Sequence, residues 1–584
     1  MPGLLNALYS RIHSSLVSPS MLPLPASSKP PSSWQSIAEK AQQHRDASLA
    51  AIQPPIPDIS ELPLDSTSIP KTILSQGELS ITQSDPVGLV SKLASGELSA
   101  VEVTNAFLRR AAIAQKLVNC ITELIPDAAL ERAAYLDAYL KENGKPIGPL
   151  HGLPISVKEM VQFKDLTCNA GFIAWNDYIA PSNAHIRYIL TVKSPFAVDI
   201  LLSAGAILYA RTTEPQTLMH LETSSNLYGV TVNPFNRTLT SGGSSGGEGA
   251  LLGLRGSCLG IGTDIGGSIR SPAANNGVYG LRPTSYRLPL DGLIATMIGQ
   301  EHIVPVIGPL STSLAGVKLF MQTLLDAQPW RRSPSLVPLP WKTEPQLPVL
   351  PDDGSKKVKV GLLIDDHVVR PHPPIVRALT SLADELRAVP GVEVVPFAPY
   401  DHARAWTIIS SLYFADGGAE ESAAIAASGE PWRPLSKFIL KDNANVKKLS
   451  VAEVWAWTIK RDEYRSEYAR KWEESGIDVL LCPVGPGAAP VVDCARYTAQ
   501  WNLLDYPALI APVSKVLPSD VVDRDYEPRN EQDRYNYEQY SGPEKYANAP
   551  VSVQLVGRRY EDEKVVEAME YIEEKLGLPW AHYV

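Results

Sequence analysis

Two glycine-rich segments that lie close together restrict the fold of this chain more than any other feature. They read TSGGSSGGEG at 240–249 and GIGTDIGGSIR at 260–270. Glycine allows a positive φ and a close approach of backbone to a ligand, so each segment predicts a turn. The small apolar residues between them, 250–258, predict a helix followed by a strand. This unit is therefore predicted to bring two serine-bearing turns to a site lined by main-chain N–H groups.

Strand and helix patterns alternate along the rest of the chain. The apolar run 153–157 follows a turn at Gly152 and predicts a buried strand that ends at Lys158. Apolar and helical periodicity predict further strands at 204–210, 257–262, 358–364, 392–397, 477–482 and 551–557, and helices at 127–142, 374–388 and 561–576. This alternation predicts a layered α/β domain. Residues 519–546 are rich in charged residues, Asn and Tyr, and they predict a surface loop.

The composition is that of a globular protein with a large core. The chain has 584 residues, of which 44% are hydrophobic and 20% charged. Residues 1–33 are rich in Ser and Pro and predict either a disordered tail or a mitochondrial targeting segment. Residues 34–72 predict an N-terminal helix and a proline-rich linker, and residues 73–584 predict the main packed domain.

Charge and cysteine usage exclude several classes of protein. A net charge of −10 disfavours a nucleic-acid partner, which requires a basic face. No apolar run is long enough to predict a membrane-spanning helix. The five cysteines are scattered and form no CxxC pair, which disfavours a disulfide framework or a zinc site. Reduced thiols of this kind predict a cytoplasmic protein.

The serines in the glycine turns are candidate nucleophiles, provided that a base activates them. Of the ten histidines, only His151 lies in a glycine turn, where packing or capping is the expected role. Lys158 can act as a base if burial lowers its pKa, because at a pKa near 10.4 only about one lysine in a few thousand is neutral near pH 7. Two roles are open for the hydroxyls of Ser244, Ser245 and Ser268. Each one either forms a hydrogen bond with the backbone of its turn or takes part in catalysis. Consecutive amides from 265 to 268 predict an oxyanion hole.

These residues resemble the amidase signature family. The resemblance is carried by both glycine segments and by GLPISVK at 152–158, in the family's order, with further similarity at 215–219, 280–283 and 550–558. It is strongest for the fungal acetamidase and general amidase branch. The resemblance implies an α/β, amidase-signature fold, with a large mixed twisted β-sheet and helices on both faces.

The resemblance also implies a Ser–Ser–Lys triad. Ser268 is the expected nucleophile, Ser244 is expected to follow a cis peptide bond and to bridge the nucleophile to the base, and Lys158 is the expected base. The remaining implied site residues are Ile265, Gly266 and Gly267 for the oxyanion hole, Ser245, Asp264 and Arg270 for support of the loops, and Thr240, Ser241, Leu218 and Met219 for the acyl pocket.

The reaction expected from this resemblance is hydrolysis of a short aliphatic carboxamide, such as acetamide, through an acyl-enzyme. The family needs no metal and no cofactor, and homodimers are common in it. One segment departs from the family pattern: residues 182–195 form an insertion, which predicts either an unusual loop or a retained intron.

Three other functions compete with this interpretation. The pattern GGSSG at 242–246 fits the nucleophile elbow of an α/β-hydrolase esterase with Ser244 as nucleophile, but it requires a preceding strand and a downstream acid and histidine, for which His582 is the last candidate. A phosphate-binding loop is disfavoured because Glu248 replaces the usual GK[ST] ending. The third alternative is an inactive homologue that serves as a subunit of a tRNA-dependent amidotransferase.

Overall fold

One large mixed β-sheet organises the protein. The structure, a computed structural model, describes residues 33–177, 197–348, 358–489 and 496–577. Its strands are β1 (Ile121–Leu124), β2 (Pro154–Lys158), β3 (Ile207–Thr212), β4 (Ser224–Ser225), β5 (Gly229–Val230), β6 (Leu259–Asp264), β7 (Tyr279–Arg282), β8 (Val306–Ser311), β9 (Val358–Leu362), β10 (Val392–Pro396), β11 (Val479–Pro483), β12 (Ala508–Lys515) and β13 (Pro550–Val556). Strands β4 and β5 form a separate two-stranded sheet, and the other eleven strands form the large sheet.

The sheet has the order β1-β3-β2-β6-β8-β7-β12-β13-β11-β9-β10. Parallel pairing joins β2 to both β3 and β6, and β9 to both β10 and β11. The other neighbours are antiparallel. The mixed sheet that the family resemblance implied is confirmed.

Helices connect and cover the strands. They are α1 (Trp34–Ala50), α2 (Pro70–Ile73), α3 (Gln76–Gln83), α4 (Pro86–Ser95), α5 (Ala100–Val118), α6 (Pro126–Asn143), α7 (Ala197–Ser203), α8 (Gly246–Gly253), α9 (Arg270–Asn275), α10 (Leu314–Asp326), α11 (Pro373–Arg387), α12 (His402–Tyr413), α13 (Ala419–Ser428), α14 (Pro434–Lys437), α15 (Val451–Ser475), α16 (Arg496–Leu504), α17 (Glu531–Gln539) and α18 (Asp562–Leu576). All seven residues of β13 are buried, so side chains on both of its faces are covered.

The N-terminal helix α1 packs against the body of the protein. The side-chain amide of Gln42 donates to the carbonyl of Leu227 across 2.7 Å, and His44 lies 2.9 Å from the carboxylate of Glu123 in β1. The division of the chain at residues 33 and 72 stays a prediction. Residues 1–32 and the insertion at 182–195 lie outside the described residues.

The surface loop predicted for 519–546 is wrong in part. Helix α17 begins after Asn530, whose side chain accepts hydrogen bonds from the first turn. Asp533 within it is buried and accepts the backbone N–H of Arg370 across 2.8 Å. Polar side chains that satisfy one another can therefore order a segment with few aliphatic residues, and composition alone does not reveal this pairing.

Candidate active site

Lys158 and the second glycine segment lie at the same edge of the sheet. Strands β2 and β6 are parallel neighbours, with Val157 opposite Ile261. Because the carboxyl ends of parallel strands meet at one edge, Lys158 at the end of β2 lies beside the end of β6 at Asp264. The predicted strand that ends at Lys158 is confirmed.

The first glycine segment forms a tight turn before α8. The peptide bond between Gly243 and Ser244 is cis, as the resemblance implied. A Cβ atom at residue 243 would lie 2.4 Å from the carbonyl oxygen of His220, so only glycine fits there. Thr240 and Ser241 hold this turn: the Thr240 hydroxyl accepts the N–H of Gly242 across 3.0 Å, and the Ser241 hydroxyl donates to backbone.

The amine of Lys158 contacts two hydroxyls. Its Nζ lies 2.7 Å from Oγ of Ser244 and 2.9 Å from Oγ1 of Thr263. Thr263 in turn donates to the sulfur of Met160 across 3.4 Å. Thr263 was not predicted as a site residue, although it immediately precedes Asp264 in the second glycine segment.

Burial changes the acid–base properties of Lys158. It is fully buried, and desolvation lowers its pKa to about 8 against the opposing effect of Glu214, Asp264 and Glu248. Glu248 accepts hydrogen bonds from Ser156 and from Thr212. Burial raises the pKa of Glu248 to about 8, so Glu248 belongs to the interior and does not face an external ligand.

Backbone and hydroxyl bonds join the two serine-bearing turns. The N–H of Ser245 donates to the carbonyl of Ser268 across 3.1 Å, and the N–H of Thr263 donates to Oγ of Ser245 across 3.3 Å. Ser268 keeps 5% of its surface exposed, whereas Ser245 is fully buried. Ser245 therefore connects the turns, and Ser268 is the more accessible of the two.

A buried ion pair anchors the second turn. Arg270 donates to both carboxylate oxygens of Asp264 across 3.0 Å, and it also donates to Asn502 and Gln554. Burial alone would raise the pKa of Asp264, but the charge and hydrogen bonds of Arg270 outweigh it and leave the pKa below its ordinary value. Asn502 and Gln554 come from distant parts of the chain and were missed by the sequence analysis.

One predicted oxyanion donor is already engaged. The N–H of Gly267 donates to Oδ1 of Asp264 across 2.9 Å, and the N–H of Ile269 donates to Oδ2. Gly267 has a φ of +127°, a conformation that favours glycine. Its observed role is to shape the turn, because its amide hydrogen points to Asp264.

Leu218 and Met219, which were predicted for the acyl pocket, belong to or pack against two apolar clusters. Leu218 is buried with Met160 and Phe172. Met219 and Ile265 both pack against a second cluster, which contains Tyr413. Met160 in the first cluster accepts a hydrogen bond from Thr263, and Ile265 of the second glycine segment packs against the second cluster. The hydroxyls of Thr240 and Ser241 are instead used by the glycine turn itself.

The esterase alternative finds little support in this arrangement. The segment that leads into residues 242–246 is loop with one isolated bridge, Val232 to Thr240, and not the strand that a nucleophile elbow requires. His582 lies outside the described residues. In the parts of the chain that the structure describes, no three His, Cys, Asp or Glu side chains form a group able to hold a metal.

Comparison with known proteins identifies the family. A family model described as Amidase matches residues 102–566. The chain belongs to the Amidase family. Two acetamidases are similar over almost their whole length: that of Emericella nidulans is 39% identical over 94% of this chain and 99% of its own, and that of Aspergillus oryzae is 38% identical over 94% of this chain and 100% of its own.

Amidase structures share the architecture described above. A solved fatty acid amide hydrolase superposes with a TM-score of 0.85 at 33% identity, covering 93% of this chain and 95% of its own. The chain is therefore an amidase of the amidase signature type, a hydrolase of amides. Within the described ranges, each helix is too short or too polar to cross a membrane.

Proposed function

We propose that this amidase hydrolyses short aliphatic carboxamides, such as acetamide, to a carboxylate and ammonia. The similarity to two fungal acetamidases supports the substrate class. The single observation that carries the mechanism is the buried amine of Lys158, 2.7 Å from the hydroxyl oxygen of Ser244. With a pKa of about 8, about one Lys158 amine in ten is neutral near pH 7, several hundred times the fraction expected for an ordinary lysine.

In the proposed acylation step, Ser268 is the nucleophile. Its oxygen bonds to the amide carbon, its proton passes to Ser244, and the proton of Ser244 passes to the neutral amine of Lys158. The neutral amine can donate one hydrogen to Thr263 while its lone pair accepts the proton from Ser244. The carbonyl electrons move to oxygen and form a tetrahedral oxyanion.

Collapse of this intermediate breaks the carbon–nitrogen bond. The proton held by Lys158 returns through Ser244 to the leaving nitrogen, which departs as ammonia. Water then attacks the acyl-enzyme by the same route in reverse, so the carboxylate is released and Ser268 regains its proton. In each half-reaction, Lys158 gives the proton that it took to the group that leaves: ammonia in acylation and Ser268 in deacylation. The carboxylic acid formed in the second step loses its own proton to solvent and becomes the carboxylate.

The proposed oxyanion hole uses the amides of Ile265, Gly266 and Ser268. Each such donor is worth about 3 kcal/mol in the transition state. Gly267 enters the proposal as the residue that bends the loop, because Asp264 holds its amide. Asp264, Arg270 and Ser245 are proposed to support the two turns through the bonds described above.

The proposed acyl pocket is bounded by Leu218 and Met219. Their apolar surroundings suit a short hydrocarbon chain. We propose that Thr240 and Ser241 support the acyl pocket indirectly, because their hydroxyls form hydrogen bonds that hold the first glycine turn in place.

We also propose a cytoplasmic homodimer. The four described cysteines, Cys120, Cys168, Cys258 and Cys482, are buried and unpaired, as is typical of reducing compartments. Cell fractionation and light scattering of the purified chain test these two proposals.

The experiment that tests the function is an ammonia-release assay over amides of increasing acyl length, with Ser268→Ala as the blank. We expect the highest kcat/KM for the shortest acyl chains and no turnover by the Ser268→Ala variant. Turnover by that variant would refute the nucleophile, and preference for long or aryl amides would refute the substrate class.

A further inference from the structure

A tyrosine from a helix that is distant in the sequence forms a hydrogen bond with the second glycine segment. The hydroxyl of Tyr413 donates to the carbonyl oxygen of Ile265 across 2.8 Å. Tyr413 is the last residue of α12, it is 3% exposed, and its ring belongs to the apolar cluster that packs with Ile265 and Met219. The hydroxyl of Tyr413 thus bonds to the backbone of Ile265, and its ring belongs to the cluster against which the side chain of Ile265 packs.

Holding one carbonyl oxygen fixes the direction of the next amide. In a planar trans peptide, the C=O of one residue and the N–H of the next point in opposite directions. The bond from Tyr413 to Ile265 therefore fixes where the N–H of Gly266 points. That amide is a donor of the proposed oxyanion hole.

The following peptide is held in a different way. Thr498 donates to the carbonyl oxygen of Gly266 across 2.6 Å, and the amide of the same peptide, Gly267 N–H, is bonded to Asp264. This peptide is thus fixed at its oxygen and its nitrogen, and its amide points to a carboxylate. Tyr413 acts on the neighbouring Ile265–Gly266 peptide, whose N–H group is a donor of the proposed oxyanion hole.

Space around Gly266 is limited by the same hydroxyl. A Cβ atom at residue 266 would lie 2.9 Å from Oη of Tyr413 and 3.6 Å from Cζ of its ring. The first distance is too short for a carbon–oxygen contact, whereas the second is an ordinary contact. Glycine at 266 is therefore needed because the Tyr413 hydroxyl is present.

We propose that Tyr413 is a positioning residue of the oxyanion hole: its hydroxyl, bonded to Ile265, orients the amide of Gly266 toward the oxyanion. This inference rests on the proposed function and deepens it. Tyr413 is assigned no contact with the reacting atoms, and its effect on the reaction passes through the Ile265–Gly266 peptide.

The first test compares Tyr413→Phe with Tyr546→Phe. Tyr546 is a matched control, because it is buried and its hydroxyl donates to the carbonyl of Gln539 across 2.9 Å. Loss of an oxyanion donor lowers kcat by about 10²–10³-fold, so misorientation of one is expected to lower it by about tenfold. KM for acetamide is expected to change by less than about twofold, since the bond acts on the transition state. Equal kcat values for the two variants would overturn the proposal.

A tetrahedral inhibitor gives a readout that a purely structural role would not affect. An alkyl boronic acid bonds to a serine oxygen and presents a tetrahedral centre, as the transition state does. Its inhibition constant is expected to rise in Tyr413→Phe by the same factor by which kcat falls, and to be unchanged in Tyr546→Phe. An unchanged inhibition constant in Tyr413→Phe would overturn the proposal.

A double-mutant cycle tests the contact directly, whatever the stability of either single variant. Gly266→Ala is expected to lower kcat strongly in the wild-type background, because the new methyl group displaces the Tyr413 hydroxyl. In the Tyr413→Phe background, the same substitution is expected to cost far less, since the ring carbon leaves room for it. Additive effects would overturn the proposal.

Failure of this inference differs from failure of the proposed function. Turnover by Ser268→Ala would refute Ser268 as the nucleophile of the proposed function, whatever the Tyr413 variants do. Loss of turnover in Ser268→Ala together with wild-type behaviour of Tyr413→Phe would refute only the role of Tyr413.

Discussion

The amine of Lys158 lies 2.7 Å from the hydroxyl oxygen of Ser244, and both side chains are buried. The contact joins the end of strand β2 to the turn before helix α8, two segments that are 86 residues apart in the sequence. A lysine that is desolvated and bonded to a serine hydroxyl is suited to proton transfer, because burial favours its neutral form.

Removal of the amine at residue 158 is expected to abolish amide hydrolysis. Lys158→Met keeps the length and apolar stem of the side chain and removes the base, so kcat should fall by at least about 10²–10⁴-fold. The measurement is ammonia release from acetamide. Lys318→Met, at a half-exposed lysine paired with Glu570, is the control and should retain wild-type rates. Full activity of Lys158→Met would instead support the esterase-type alternative.

The pH dependence of kcat/KM is expected to follow the titration of Lys158. The neutral amine is the active form, and its pKa is about 8. Activity should therefore be low on the acid side, rise as pH passes through about 8, and level off above it. Initial rates from about pH 6 to about pH 10 check this profile. A rise centred near the pKa of an ordinary histidine, about 6.5, would contradict the assignment of the base.

Covalent labelling is expected to distinguish the two serines. A fluorophosphonate probe should add one mass label to the wild-type chain, none to Ser268→Ala, and label Ser244→Ala far more slowly, because proton removal is impaired while the nucleophile remains. Intact-protein mass spectrometry measures the labelled fraction over time. Rapid labelling of Ser268→Ala would show that another residue is the nucleophile.

Removing the charge of Asp264 is expected to destabilise the fold. Asp264→Asn leaves the guanidinium of Arg270 buried without its counter-ion, which costs about 3–5 kcal/mol of unfolding free energy. Asp384→Asn is the control at an exposed helix pair with Arg387, where less than about 1 kcal/mol is expected. Urea unfolding followed by circular dichroism measures both. Similar values for the two variants would contradict the anchoring role of the buried pair.

Truncation of Leu218 is expected to change the preferred acyl length. Leu218→Ala opens space beside Met160 and Phe172, so longer acyl chains should gain relative to acetamide. One methylene in an apolar pocket is worth about 1–3 kcal/mol, so the ratio of kcat/KM for butyramide to that for acetamide should rise about tenfold or more. Leu382→Ala, at a buried leucine of α11, is the control for general loss of packing. An unchanged ratio would remove Leu218 from the acyl pocket.

The sequence by itself determined the features that lie in continuous segments. Both glycine turns, the strand that ends at Lys158 and the helix and strand between the turns follow from local patterns, because each pattern depends on neighbouring residues. The boundaries were less accurate: the strand predicted at 204–210 is Ile207–Thr212, and the strand predicted at 257–262 is Leu259–Asp264. Strand ends are set by pairing with the neighbouring strands, and apolar content alone does not determine that pairing.

Only the tertiary structure decided what surrounds the reactive groups. Tyr413, Thr498 and Asn502 lie in helices far from residues 264–270, and no local pattern connects them to that loop. The burial that lowers the pKa of Lys158 comes from packing of the whole sheet, and the bond from Gly267 to Asp264 was not foreseen from the turn alone. Desolvation and hydrogen bonding depend on distances through space, so these properties arise only once the chain has folded.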